Sequence, residues 1–147
     1  MTTPVLRWIA SLCAAALLTL APTASAQAQT RAEGLWIGTL AVSPTLSLRI
    51  VVEITRKADG ALIGTFDSPD QNSFGVPLAD ITSTNTALAF TLPAAGASYA
   101  ARWSPEAEGW QGTFTQARQD WPLALQRLDP AQRPQRSALP AGWQVPA

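Results

Sequence analysis

Leu46-Ser47-Leu48-Arg49-Ile50-Val51-Val52-Glu53-Ile54-Thr55 is the stretch that decides the fold. Leu46, Leu48, Ile50, Val52 and Ile54 occupy alternate positions, with Ser47, Arg49, Val51, Glu53 and Thr55 between them. Successive side chains of a strand point to opposite faces, so this pattern makes one fully apolar face and one largely polar face. On a helix the same spacing would scatter Arg49 and Glu53 among the apolar residues, so a half-buried strand is expected. Arg56-Lys57-Ala58-Asp59-Gly60 follows, and its Asp-Gly pair supplies the positive-φ position of a hairpin loop. The return strand is expected over Ala61–Asp67, with Leu62, Gly64 and Phe66 sharing a face.

The same alternation extends in both directions. Leu35–Ala41 groups Trp36, Gly38 and Leu40. Val76–Thr82 is weaker, because Val76, Leu78 and Ile81 break strict alternation, and a bulge is expected there. After a turn at Asn85, Ala87–Leu92 groups Leu88, Phe90 and Leu92. Pro93-Ala94-Ala95-Gly96 is a turn, and Ser98–Ser104 groups Tyr99, Ala101 and Trp103. Beyond the loop Pro105–Gly109, Trp110–Gln116 groups Trp110, Gly112, Phe114 and Gln116. Arg118-Gln119-Asp120 is a tight connection, and Trp121–Arg127 groups Trp121, Leu123 and Leu125.

These segments make an all-β chain of eight expected strands with short loops. After the N-terminal region, nothing has the helical periodicity needed to cross over a parallel sheet. Sequence neighbours should therefore pair in an antiparallel up-and-down meander, which closes into a barrel and removes both sheet edges. An eight-stranded barrel is just wide enough to be filled by side chains or to hold one small ligand. Gly38, Gly64 and Gly112 fall mid-strand, as tight coiling requires.

Residues 1–26 read as a signal peptide. Arg7 is a short positive region, Trp8–Leu20 is apolar but too short to span a bilayer, and Pro22 ends it. Ala24-Ser25-Ala26 is a cleavage signal, with Ala26-Gln27-Ala28 as a second. The product is expected to be exported, periplasmic or secreted, without stable membrane insertion. Cys13 lies inside the apolar run and follows Leu12 rather than a small residue, so it is read as leaving with the signal peptide, not as a lipid anchor. Residues 27–33 are read as an N-terminal extension, 34–128 as the barrel domain and 129–147 as a Pro-rich, poorly ordered tail. In that tail Trp143 docks on a partner or on the domain, or stays loose.

Composition removes several chemistries. The 147 residues include no histidine and one cysteine, which excludes a Ser-His-Asp or Cys-His site, an imidazole metal ligand and a zinc knuckle. No metal and no cofactor is expected. Ten basic residues balance ten acidic ones, which argues against charge-driven binding to nucleic acid.

The densest polar cluster is Asp67-Ser68-Pro69-Asp70-Gln71. Its oxygens suit a polar ligand or Ca²⁺, but two carboxylates fall short of the usual six to eight oxygens, and Asp and Ser before Pro also build turns. Ser68 lacks a base to activate it, and Lys57 is the chain's only lysine. Asp67 and Asp70 as an acid–base pair would have to act from a single turn. Trp36, Phe66, Phe90, Tyr99, Trp103, Trp110, Phe114 and Trp121 either line a cavity or fill the barrel. The candidate ligand-binding residues are therefore Asp67, Ser68, Asp70, Gln71, Tyr99, Trp103 and Trp110, with Gln111 and Gln116 as further polar groups for a pocket mouth. No residue is assigned a catalytic role.

Gly34-Leu35-Trp36 on the first strand resembles the GxW signature of lipocalin and avidin-like barrels. That resemblance implies that Trp36 closes one end of the core and that a basic residue of the last strand, here Arg127, packs across it. A longer series resembles the small β-barrel domain that precedes the catalytic domain of some secreted bacterial α/β-hydrolases, serine esterases or peptidases. It comprises Gly-Leu-Trp-Ile-Gly-Thr-Leu at 34–40, Gly-Thr-Phe-Asp-Ser-Pro-Asp-Gln at 64–71, Phe-Gly-Val-Pro at 74–77, Gln-Gly-Thr-Phe-Thr-Gln at 111–116 and Trp-Pro-Leu-Ala-Leu-Gln-Arg at 121–127. Arg133-Pro134-Gln135 is similar to the linker that follows it. The sequence has no GxSxG elbow and no histidine, so the resemblance implies a fold and an accessory role without hydrolysis. The expectation is an exported non-enzymatic module that holds a small apolar ligand or docks a protein partner at its barrel mouth. A periplasmic protein-interaction module such as a protease inhibitor, and a carboxylate-dependent hydrolase, are the alternatives.

Overall fold

The computed structural model describes residues 30–136. The expected signal peptide over residues 1–26, with Cys13, and Trp143 lie outside them. Within them the chain is all-β, with strands β1 (Gly34–Ser43), β2 (Leu46–Arg56), β3 (Leu62–Ser68), β4 (Ser73–Pro77), β5 (Ala79–Ser83), β6 (Ala87–Leu92), β7 (Ala97–Ser104), β8 (Gly109–Gln116) and β9 (Gln119–Arg127). They form one antiparallel sheet in the order β4-β3-β2-β1-β9-β8-β7-β6-β5, an up-and-down barrel that is nearly closed. Pairing of Trp36 with Arg127 and Ile37 with Gln126 joins the first strand to the last. No described helix is long and apolar enough to cross a membrane.

There are nine strands, not the expected eight. The segment expected as one bulged strand over Val76–Thr82 is two. β4 pairs back onto β3, and β5 pairs forward onto β6. Pro77 has no N–H to continue a ladder, and Asp80 adopts a positive φ of 50°, so the strand breaks between them. The Leu78 amide bridges the break by donating to the Gly64 carbonyl at 2.9 Å. Both halves run antiparallel to β3 and β6, so the barrel closes here through the chain itself. The final hairpin also differs from expectation. Its loop is Ala117-Arg118, both at positive φ as a two-residue primed turn requires, and Gln119 and Asp120 already belong to β9.

Alternation places Trp36, Leu40, Ile50, Val52, Ile54, Phe66, Leu88, Phe90, Tyr99, Trp110, Phe114, Leu123 and Leu125 inside, all buried. The two barrel ends are built differently. At one end, where β1 starts and β9 finishes, Trp36, Trp103 and Trp110 pack edge to face, with centroids 5.3–6.3 Å apart. The turn Thr30–Glu33 plugs this end. Trp36 Nε1 donates to the Ala32 carbonyl at 2.8 Å, and Glu33 pairs with Arg56 at the end of β2. Arg127 lies over Trp36, 4.4 Å from the ring centroid, and donates to the carbonyls of Glu33 and Arg31. Gly34 is required beneath it: its φ is +132°, and a Cβ there would run into the Arg127 guanidinium. Arg31 covers Trp103 from 4.5 Å. Aromatic edges and two guanidinium planes thus seal this end.

Candidate functional site: the barrel mouth

Four connections meet at the other end: Pro44-Thr45, Pro69–Asn72, Pro93–Gly96 and Ala117-Arg118. Two of them share one backbone form. Pro69–Gln71 and Pro93–Ala95 are single 3₁₀ turns, each with proline first and a left-handed residue after (Asn72, φ 51°; Gly96, φ 59°). Proline presets the entry φ, and glycine or asparagine tolerates the exit.

These turns flank an apolar cup of about 260 Å³. Its walls are Leu40 and Val42 of β1, Leu46, Leu48 and Ile50 of β2, Phe66, Leu92, Ala95, Phe114 and Trp121, with Gln71 and Gln116 as the polar groups. Phe66 and Phe114 stack with centroids 5.8 Å apart. Gln116 Nε2 donates to the Ala95 carbonyl at 2.9 Å, which ties β8 to the second turn. No charged side chain lines the cup. Leu46 is half-exposed at its rim. A larger hollow of about 380 Å³ over β5–β8, floored by small side chains such as Ala89 and Ala100, is a more open groove on the outer wall.

The barrel is thus filled by a continuous core that leaves a cup of about 260 Å³ at one end. Of the seven candidate ligand-binding residues Gln71 alone lines the cup, joined there by Gln116, one of the two further polar groups expected at a mouth. Tyr99 is buried in the core and donates its hydroxyl to the Leu123 carbonyl at 2.8 Å, and burial pushes its pKa well up. Trp103 and Trp110 belong to the sealed end. Trp110 Nε1 is buried and has no hydrogen-bond partner. Gln111 faces the outer groove instead of the mouth.

The carboxylates of the polar cluster are engaged by different arginines. Asp70 accepts from the Arg49 amide and guanidinium, both at 2.7 Å. That guanidinium contact, then the amide, holds the Asp70 carboxyl below its usual range. Asp67 is buried, accepts from the Gly75 amide at 2.7 Å, and is met by Arg133 at 2.8 Å. Ser68 is also buried, and its Oγ has no hydrogen-bond partner. Among the described residues, no group of three or more Asp, Glu, Cys or His side chains is placed to hold a metal ion.

No family model, curated protein or solved structure matches this chain. The cup has to be interpreted from its own chemistry. Most of its lining escapes a search for polar clusters, because the residues are ordinary strand apolars spread over six strands. The signal that finds them is strand direction: inward residues at the ends of β1, β3, β6 and β8 and at the starts of β2 and β9 converge on one mouth.

Proposed function

We propose that this protein is a non-catalytic binding module that holds a small apolar molecule in the cup at its barrel mouth. The observation that carries the reading is a neutral, aromatic-floored cup at one end of a barrel whose other end is packed shut. Preformed apolar concavities with a few polar groups at the edge are the usual form of small-molecule sites. A protein this size gains stability by filling its core, so an unfilled apolar cup with exposed Leu46 at its lip is more readily explained by occupancy than by folding. The uncharged lining favours a neutral molecule over an ionised one.

The N-terminal pattern supports export, and the motif series from Gly34 to Arg127 supports an accessory role beside a hydrolase. Carboxylate-dependent hydrolysis is disfavoured, since Asp67 and Asp70 are each neutralised by an arginine.

Native mass spectrometry of the protein isolated from the cells that export it tests this reading. The expected result is a retained small apolar molecule, lost on Leu48→Glu substitution. A bare protein that also fails to take up neutral apolar compounds would sink it.

A further inference from the structure

The segment after β9 was expected to be loose from Asp129 onward, but its described part is fastened to the barrel wall. The Leu128 amide donates to the Leu35 carbonyl at 2.9 Å. Asp129 caps a 3₁₀ turn over Pro130–Gln132 through the Ala131 amide. Arg133 then spreads across two strands, meeting Glu53 of β2 and Asp67 of β3. Finally, Arg136 lies 5.4 Å from the Phe74 ring centroid, on the mouth side of β4. The strap thus runs from the sealed end up the outer wall to the mouth.

Asp67 is where strap and mouth meet. Its carboxylate is 3% exposed, and one oxygen faces Arg133 while the other accepts the Gly75 amide. Those two contacts bracket the loop 68–75, which carries Gln71 onto the cup wall. The loop's own conformation is not self-sufficient. Ser68 Oγ is buried without a partner, which is unfavourable, and the loop is held from outside at two points, Asp70 on Arg49 of β2 and Asp67 on Arg133 of the strap. The companion loop 92–97 has the same backbone form but no ionic contact; it is held by apolar burial, the Gly96–Pro93 backbone bond and the Gln116–Ala95 hydrogen bond.

We infer that Arg133 is a positioning residue for the mouth, acting through Asp67 to hold the loop 68–75 in place. A buried carboxylate that loses its cation is left uncompensated and gains by swinging out toward water, a movement that draws Oδ1 away from the Gly75 amide. Displacement of the strap therefore loosens one wall of the cup and leaves the other as it was. The consequence for a ligand rests on the cup being the binding site, whereas the consequence for the loop does not.

Hydrogen exchange on the full chain tests the inference without any ligand. In Arg133→Gln, amides of the loop 68–75, Gly75 above all, are expected to exchange about tenfold faster or more, with the loop 92–97 unchanged. Arg133→Lys should fall between the two. Asp67→Asn/Arg133→Gln removes the uncompensated charge and keeps an acceptor for Gly75, so it should recover much of the protection. If Arg133→Gln does not fold, the double variant is still expected to fold with the loop protected. Unchanged exchange in 68–75, equal acceleration in both loops, or a double variant no better than Arg133→Gln overturns the proposal.

Discussion

The two ends of the barrel are made from the same strands and serve opposite purposes. At the sealed end three tryptophans meet edge to face, the Thr30–Glu33 turn plugs the opening, and Arg127 and Arg31 lie over the rings. At the mouth the inward side chains are mostly leucine, valine, isoleucine and phenylalanine with the single Trp121, two short turns stand beside the opening, and about 260 Å³ is left unfilled. Large rigid side chains close one end, with the Trp36 edge bonded to Ala32 and the Trp110 edge unpartnered, and mostly smaller side chains leave the other end open. A barrel of this width needs no change of architecture to hold a ligand. It needs only the cluster of Trp36, Trp103 and Trp110 kept to one end, while Trp121 stands in the wall of the mouth.

The comparison is broken most severely by Trp36→Ala. Trp36 is fully buried and anchors both ring contacts and the Ala32 hydrogen bond, so the loss is expected to be about 3–5 kcal/mol in chemical denaturation. A loss near that of an exposed residue would mean that the seal is not the structural base. Next comes Gly34→Ala, expected to lose about 1–3 kcal/mol, because the new Cβ is strained at positive φ and displaces Arg127. Adding Arg127→Ala should make the two effects clearly non-additive, and simple additivity would remove the proposed contact.

Tyr99→Phe sits between the ends. It leaves the Leu123 carbonyl without its donor, and a decrease of about 1 kcal/mol is expected. At the mouth, Leu46→Ser should alter stability by less than about 0.5 kcal/mol, since Leu46 is 51% exposed, while weakening uptake of an apolar compound. A marked loss of stability there would make the lip part of the core. The smallest effect is expected for Asp70→Asn. The Arg49 contact lowers the folded-state pKa of Asp70, so its contribution is present above the unfolded value of about 3.9 and fades as pH falls through the lower folded one. The variant should therefore be slightly less stable than the parent above about pH 4, and the two should converge as pH falls further, as read by chemical denaturation at a series of pH values. A difference that persists at the acid end, or that is confined to it, would contradict the assignment.

Much of the architecture was legible in the residues. Strict alternation from Leu46 to Ile54 identifies a strand and its inner face, and the recurrence of that pattern gives the meander. The break at Leu78 was not legible, because it depends on Pro77 and on an aspartate taking positive φ. The Ala117-Arg118 turn carries no Asn-Gly signal, and it forms because its flanking strands pair in register. The site was less visible than the fold. Asp67, Ser68 and Asp70 attract notice by lying together in sequence, yet their polar atoms serve the loop and the strap. The cup is assembled from apolar residues that look like core until strand direction is followed. Arg133 was hidden for a related reason: its partner Asp67 is 66 positions away, and a Pro-rich context suggested a loose tail.

The contrast between a packed end and a receptive mouth is tested most directly by titrating the protein with N-phenyl-1-naphthylamine, a neutral apolar fluorophore, and following its emission. The account predicts saturable one-to-one binding that Leu48→Glu abolishes and that Thr113→Glu, on the outer wall, leaves intact. Absence of saturation, or binding that survives Leu48→Glu, would contradict it.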